Sequence, residues 1–223
     1  MFNAIIIGST GATGKYLLKH LLYNPNCNRV TSIGRRMASE EEESDKLVDV
    51  VIDSLFDLSS TYSFWKDNDV FFNCIGTTRQ RAGGANSFID VEVGISKLAA
   101  KMASEAKISH ASIISAKGAN HNSWSVNWIH PLLYIKTMGE KEQTIVSDYS
   151  FKNATIFRPA FLNREVNRSN RGNLFSLTNK FGLSVNTLAL AMMEDAENLI
   201  SDPINKRVQY YIGNDQIINA SAN

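Results

Sequence analysis

The residues best equipped for chemistry stand near the start of the chain, as Gly8-Ser9-Thr10-Gly11-Ala12-Thr13-Gly14, directly after Ile5-Ile6-Ile7. In a G-x-x-G-x-x-G loop the first glycine permits a tight turn and the second lets backbone approach a pyrophosphate. The third allows a helix to pack closely on a strand. The free N–H groups and positive dipole end of the following helix then attract phosphate oxygens. A glycine triplet alone is weak, but a strand before it and an amphipathic helix after it make a dinucleotide-binding signature. About twenty residues further on, NAD binders carry an Asp or Glu for the ribose 2′-hydroxyl. Here that stretch is Val30-Thr31-Ser32-Ile33-Gly34-Arg35-Arg36, with no acid and two guanidiniums. A carboxylate would repel a 2′-phosphate, whereas an arginine fork grips one and stacks on adenine. The expected cofactor is therefore NADP(H), with NAD(H) less favoured. Asp53, after the third strand, is where the adenine edge would be read.

Positioning such a loop takes a parallel sheet. Apolar, β-rich runs recur at Phe2–Ile7, 29–33, 47–52, 70–75, 111–115, 154–157 and 209–212, with helical patterns between them. Leu17, Leu18, Leu21 and Leu22 form one apolar stripe, and Ile95, Leu98, Ala99, Met102 and Ala103 another. This alternation predicts an α/β protein with a doubly wound parallel sheet, an NAD(P)-binding Rossmann fold. With 223 residues and no repeat or linker, the chain reads as a single domain over 1–223. Within it, 161–186 looks irregular, and the part from about 160 to 223 is expected to form a small C-terminal cap over the ligand. The run Ser39-Glu40-Glu41-Glu42-Glu43-Ser44 reads as a solvated loop.

Composition excludes several classes. A net charge of +1 supplies no basic face for nucleic acid or an anionic membrane. No apolar stretch reaches the length of a membrane span, and the first is too short and lacks the positive flank of a secretory signal. Cys27 and Cys74 make neither a disulfide framework nor a metal site, and Cys74 reads as a buried thiol. His121 and His130 have no further ligands near them, so no metal is expected. The expected location is cytoplasmic.

Four segments resemble the Tat-interacting-protein family, atypical members of the short-chain dehydrogenase/reductase superfamily. They are the glycine loop, Ile33-Gly34-Arg35-Arg36, Cys74-Ile75-Gly76-Thr77-Thr78-Arg79 with Ala82-Gly83, and Ile114-Ser115-Ala116-Lys117-Gly118-Ala119. Tyr134, Gly139-Glu140 and Arg158-Pro159 continue the match, which thins beyond about residue 160. The resemblance implies a Rossmann fold that binds NADPH and acts as an oxidoreductase, an NADPH-dependent regulator or an interaction protein. It places Gly76, Thr77 and Thr78 beside the nicotinamide ribose, makes Pro159 a further cofactor contact, and adds mitochondrial association as an alternative location through a fungal branch. Strand ends are also where α/β sheets bind ligands in general.

The superfamily's chemistry uses a Ser to polarise the substrate carbonyl, a Tyr to exchange the proton, and a Lys four residues after that Tyr. The resemblance puts Tyr134 in the tyrosine position, but Tyr134-Ile135-Lys136-Thr137-Met138 places a methionine where the lysine belongs. Lys136 points about 200° around the helix from Tyr134, and Lys141 lies two turns away, roughly 10 Å along the axis. Thr137 shares the Tyr134 face and is expected to reach the ribose. In the usual Ser-Ser pair the second serine faces substrate, and that position is Ala116. Ser115 remains, turned the other way by strand alternation. Tyr134, Ser115 and Thr137 are thus the candidate catalytic residues.

An ordinary tyrosine titrates near 10, so about 0.1% is phenolate at pH 7. Such a group is a poor base for alcohol oxidation but is correctly protonated as an acid. The expected activity is therefore slow reduction of a small carbonyl or quinone, each missing role removing something like 10²-fold or more. The alternative is a non-catalytic NADP(H)-binding regulator or interaction module with a protein partner or a homodimer. Met138 and Ala116 support it, since they remove chemistry and leave cofactor binding untouched. A nucleotide-sugar epimerase would also want the missing lysine. The loop from Asn120 to Pro131 carries Trp124 and Trp128, which could line a pocket, form an exposed apolar patch, or pack against the cap.

Overall fold

β1 (Phe2–Ile7) is an interior strand of the sheet, and its alternation builds both layers of the molecule. Ala4 and Ile6 face one hydrophobic core, while Ile5 and Ile7 face the other. A strand apolar on both faces needs helices on both sides, the arrangement of a parallel sheet. The computed structural model describes residues 1–38, 44–163, 182–202 and 207–222. The acidic run at 39–43 and most of the segment read as irregular, 164–181, lie outside the described residues.

The main sheet contains β1, β2 (Cys27–Gly34), β3 (Leu47–Val51), β4 (Val70–Asn73), β5 (His110–Ile114), β6 (Asn153–Arg158) and β9 (Arg207–Ile212). Its order is β3-β2-β1-β4-β5-β6-β9, with every pairing parallel. The order reverses between β1 and β4, which makes the gap above those two strands the topological switch point where ligands bind. β4 ends two residues before the expected limit. The Asn73 carboxamide accepts the Ile75 N–H at 3.0 Å and donates to the Ser96 hydroxyl at 2.8 Å, turning the chain out of the sheet.

α1 (Gly14–Tyr23) buries Leu17, Leu18, Leu21 and Leu22, the stripe read from the sequence. α2 (Tyr62–Trp65) and α3 (Arg79–Ala82) are single turns. α4 (Ala85–Ile89), a π-helical segment (Asp90–Gly94) and α5 (Ile95–Glu105) run on as one helical rod over 85–105. Its start was not foreseen, because the apolar stripe is legible only from Ile95 onward. α6 (His130–Val146) opens with Pro131, whose fixed φ suits a first helical turn.

Beyond β6, β7 (Leu162–Asn163) and β8 (Leu183–Ser184) form a short parallel pair. α7 (Val185–Ser201) packs against α1, and α8 (Asn214–Ala220) closes the chain on α7. The described C-terminal residues therefore join the sheet and its helix layer. Of the stretch from about 160 to 223 expected to form a cap, 164–181 and 203–206 lie outside the described residues.

Candidate functional site

The glycine loop is shaped by backbone pressed on backbone. Gly8 has φ +83°, and a Cβ there would lie 2.7 Å from the carbonyl carbon and oxygen of Cys74. A Cβ on Gly14 would overlap the Gly8 carbonyl oxygen, and the Gly11 N–H donates to that oxygen at 3.0 Å. The loop is thus pinned between β1 and the end of β4, at the switch point. The Ser9 hydroxyl is buried in a 2.8 Å hydrogen bond with Ser32 of β2, so Ser9 can offer a ligand only its backbone. Thr13 is buried, Thr10 is exposed and Ala12 is half-buried. The Thr13 side chain, at the N-cap of α1, makes no capping hydrogen bond. The Lys15 and Tyr16 N–H groups donate to the Gly11 and Thr13 carbonyl oxygens at 3.1 Å each, and the loop of small residues with the positive dipole end of α1 fits a dinucleotide diphosphate.

Arg35 and Arg36 are exposed immediately after β2, and Asp53 is exposed just past the neighbouring β3. A Cβ on Gly34 would sit 3.2 Å from the Arg36 carbonyl oxygen, so the chain folds back sharply there. The arginines therefore stand at the same sheet edge as the glycine loop.

On the other side of the switch point, Gly76 and Thr78 are exposed and Thr77 is half-buried. The Thr78 hydroxyl accepts the Arg81 N–H at 3.2 Å and caps α3. The Thr77 N–H donates to Glu92 Oε1 at 2.6 Å. Lys141 of α6 donates to the Ile75 carbonyl oxygen at 2.6 Å and to Glu92 Oε2 at 3.1 Å. The next residue, Glu142, accepts hydrogen bonds from the Ser115 hydroxyl at 2.6 Å and Arg158 Nε at 2.7 Å. Glu142 holds the Arg158 guanidinium more firmly protonated than usual. Pro159 is buried beside it, its carbonyl oxygen taking the Lys117 N–H at 2.9 Å. Two adjacent residues of α6 thereby tie the helix to the carboxyl ends of β4, β5 and β6.

Of these, Glu92, Lys141, Glu142 and Arg158 were not singled out as site residues from sequence, and Lys141 was set aside as too distant. One signal was available for the lysine. Tyr134, Met138, Lys141 and Ile145 fall at helical spacing, and a lysine on such an otherwise apolar stripe is a candidate buried charge.

The catalytic candidates are arranged differently from expectation. Tyr134 is half-buried and stacks on Phe88 and His130, with ring centroids 6.1 Å away in each case. Ala116 and Met138 pack in one apolar cluster with Phe88, Ala119 and Leu133, and Tyr134 lies against it. The Ser115 hydroxyl is committed to Glu142 inside the protein. Thr137 was expected to reach a ribose; its Oγ1 is instead sealed in the interior, without a hydrogen-bond partner among the described residues. Helix rotation explains the difference, because Thr137 lies about 60° round from Tyr134, toward the packed side. A cavity of about 620 Å³ opens beside the ring stack, lined by Thr78, Arg79, Gln80, Gly83, Gly84 and His130. Trp124 and Trp128 do not pack into the interior, being 69% and 76% exposed. Both cysteine thiols are buried, which pushes Cys27 up to about 11 and Cys74 up to about 12.

The fold and the glycine loop define an NAD(P)-binding Rossmann protein. A family model described as NAD(P)H-binding matches residues 8–193, and the chain belongs to that family. It is 32% identical over 160 residues to protein HTATIP2 of Rattus norvegicus, covering 72% of this chain and 62% of that protein. It is 33% identical over 161 residues to protein FMP52, mitochondrial, of Meyerozyma guilliermondii, covering 72% and 65%. The chain thus matches just under two thirds of the length of these two relatives. Among solved structures, the oxidoreductase ylbE of Lactococcus lactis shares the fold, with a TM-score of 0.65 and 15% identity over 93% of this chain and 89% of that one. No helix among the described residues is long and apolar enough to cross a membrane.

Proposed function

We propose that this chain binds NADP(H) in preference to NAD(H) and slowly reduces a small carbonyl or quinone, with Tyr134 as proton donor. One observation carries the reading: Tyr134 stacks on His130, which lines the 620 Å³ cavity, and Tyr134's helix is bonded to the ends of β4, beside the glycine loop, and β5. The segment 8–14 would hold the diphosphate, Arg35 and Arg36 the 2′-phosphate, and Asp53 the adenine edge. Gly76, Thr77, Thr78 and Pro159 would border the nicotinamide side. Bound NADPH supplies a hydride. Tyr134 donates its phenolic proton to the carbonyl oxygen, and substrate occupies the cavity. With Ala116 and Met138 in place of a hydroxyl and an ammonium, the oxygen is polarised by Tyr134 alone and its proton transfer is unassisted. That makes turnover slow.

The packing of Ala116 and Met138 also favours a second reading, an NADP(H)-binding regulator or interaction module without turnover. Fluorescence titration with NADPH and NADH, followed by a scan of aldehydes and quinones for loss of NADPH absorbance, separates the two. Turnover that rises in Met138→Lys/Ala116→Ser supports a reductase scaffold. Tight binding with no turnover in either form supports the regulator. The paired Arg35→Ala/Arg36→Ala variant should weaken NADPH at least about tenfold, the loss of one charge-assisted hydrogen bond or more, and weaken NADH much less, through lost adenine stacking alone. Equal weakening of both would overturn NADP preference. The relatives' labels make mitochondrial association the alternative to a cytoplasmic location, and imaging of the tagged chain decides it.

A further inference from the structure

We infer that Lys141 and Glu92 form a brace that fixes the backbone of residues 75–77, so that Lys141 is a positioning residue for the nicotinamide half of the cofactor. The inference rests on the reading that this segment faces the nicotinamide side. The lysine expected at position 138 would act on the ribose directly. In this chain the buried cation stands one turn further along α6, and it acts on the backbone framing that site. Its Nζ holds the Ile75 carbonyl oxygen at 2.6 Å, and its counter-ion Glu92 holds the Thr77 N–H at 2.6 Å. The peptide groups on both sides of Gly76 are therefore gripped by one ion pair, while Gly76 itself stays exposed.

Three features set this pair apart from an incidental contact. Lys141 is 1% exposed and Glu92 is 3% exposed. Taking two charges out of water roughly cancels their attraction, so such a pair adds little net stability, and specific geometry is the better account of it. Glu92 also sits in the π-helical segment Asp90–Gly94, a local widening that is frequent at functional sites. Finally, the rod over 85–105 presents Phe88 to the Tyr134 ring stack and Glu92 to the 75–77 segment. One helix thus references both halves of the site to each other.

The test uses the full chain and two ligands, NADPH and 2′,5′-ADP, which lacks the nicotinamide half. Lys141→Met alone would leave a buried carboxylate uncompensated, so the decisive variant is Glu92→Gln/Lys141→Met, with Lys141→Arg as the conservative control. The paired variant should melt cooperatively, bind NADPH at least tenfold more weakly, and bind 2′,5′-ADP within twofold of the unaltered protein. Lys141→Arg should recover part of the NADPH affinity. Parallel loss of both ligands, or loss of neither, would overturn the brace as a positioning device. A second arm needs no variant or cofactor. The Thr77 amide should exchange hydrogen at least a hundredfold more slowly than an exposed loop amide, and exchange at loop rates would also overturn it. An unaltered protein that binds neither ligand sinks the cofactor reading instead, and the Thr77 amide then decides the brace separately.

Discussion

At Gly14 a single methyl group has no room, because its position is already taken by the Gly8 carbonyl oxygen. Gly14→Ala should therefore push α1 away from β1, lowering the melting temperature and weakening NADPH at least tenfold. An alanine that leaves both unchanged would show that this close packing is dispensable. Ser115 illustrates the opposite case, a residue whose type suggested chemistry and whose contacts suggest architecture. Its hydroxyl donates to the buried Glu142 carboxylate, so Ser115→Ala should cost about 1–3 kcal/mol of stability in chemical denaturation. NADPH affinity should barely change. A Ser115→Ala protein of normal stability with abolished turnover would return Ser115 to the catalytic group.

α6 concentrates the functional geometry of the fold. Its first turns carry His130 and Tyr134, its middle contributes Met138 to an apolar cluster, and Lys141 and Glu142 then tie it to three strand ends. Gly139 lets the chain after β5 cross this helix. A Cβ there would collide with the backbone of Asn120 and His121, and the Asn120 N–H donates to the Ile135 carbonyl oxygen at 3.1 Å. Gly139→Ala should displace the segment leading into the tryptophan loop, lowering thermal stability despite alanine's better helix propensity. A melting temperature equal to or above that of the unaltered protein would show that the crossing can relax.

A histidine buried in the sheet makes the stability of the entire fold sensitive to acid. His110 on β5 is 1% exposed, with Nε2 3.1 Å from the Thr155 hydroxyl and 3.7 Å from the Asp195 carboxylate. Burial pushes its pKa down to about 3. The unfolded chain, with a histidine pKa near 6.5, therefore binds a proton that the folded chain refuses between about pH 6.5 and 3. Stability from this group is fully present above pH 6.5 and is lost on acidification, by up to about 1.4 kcal/mol per pH unit. Urea midpoints measured from pH 7 to 5 should fall, and His110→Gln should flatten that fall. An equal slope in both proteins would place the acid sensitivity elsewhere.

The parallel sheet, the glycine loop and the paired arginines were readable from the chain because each rests on short-range pattern. Strand alternation, helical stripes and fixed glycine spacing involve neighbours within a few residues. Met138 and Ala116 were read as substitutions only through the family resemblance. The contacts of Lys141 and Glu142 were not readable, because their partners are remote in sequence. Lys141 meets Glu92 and Ile75 across 49 and 66 residues, and Glu142 meets Ser115 across 27. Whether a buried charge lies idle or grips a backbone depends on which distant segments the fold carries to it, and no local spacing encodes that.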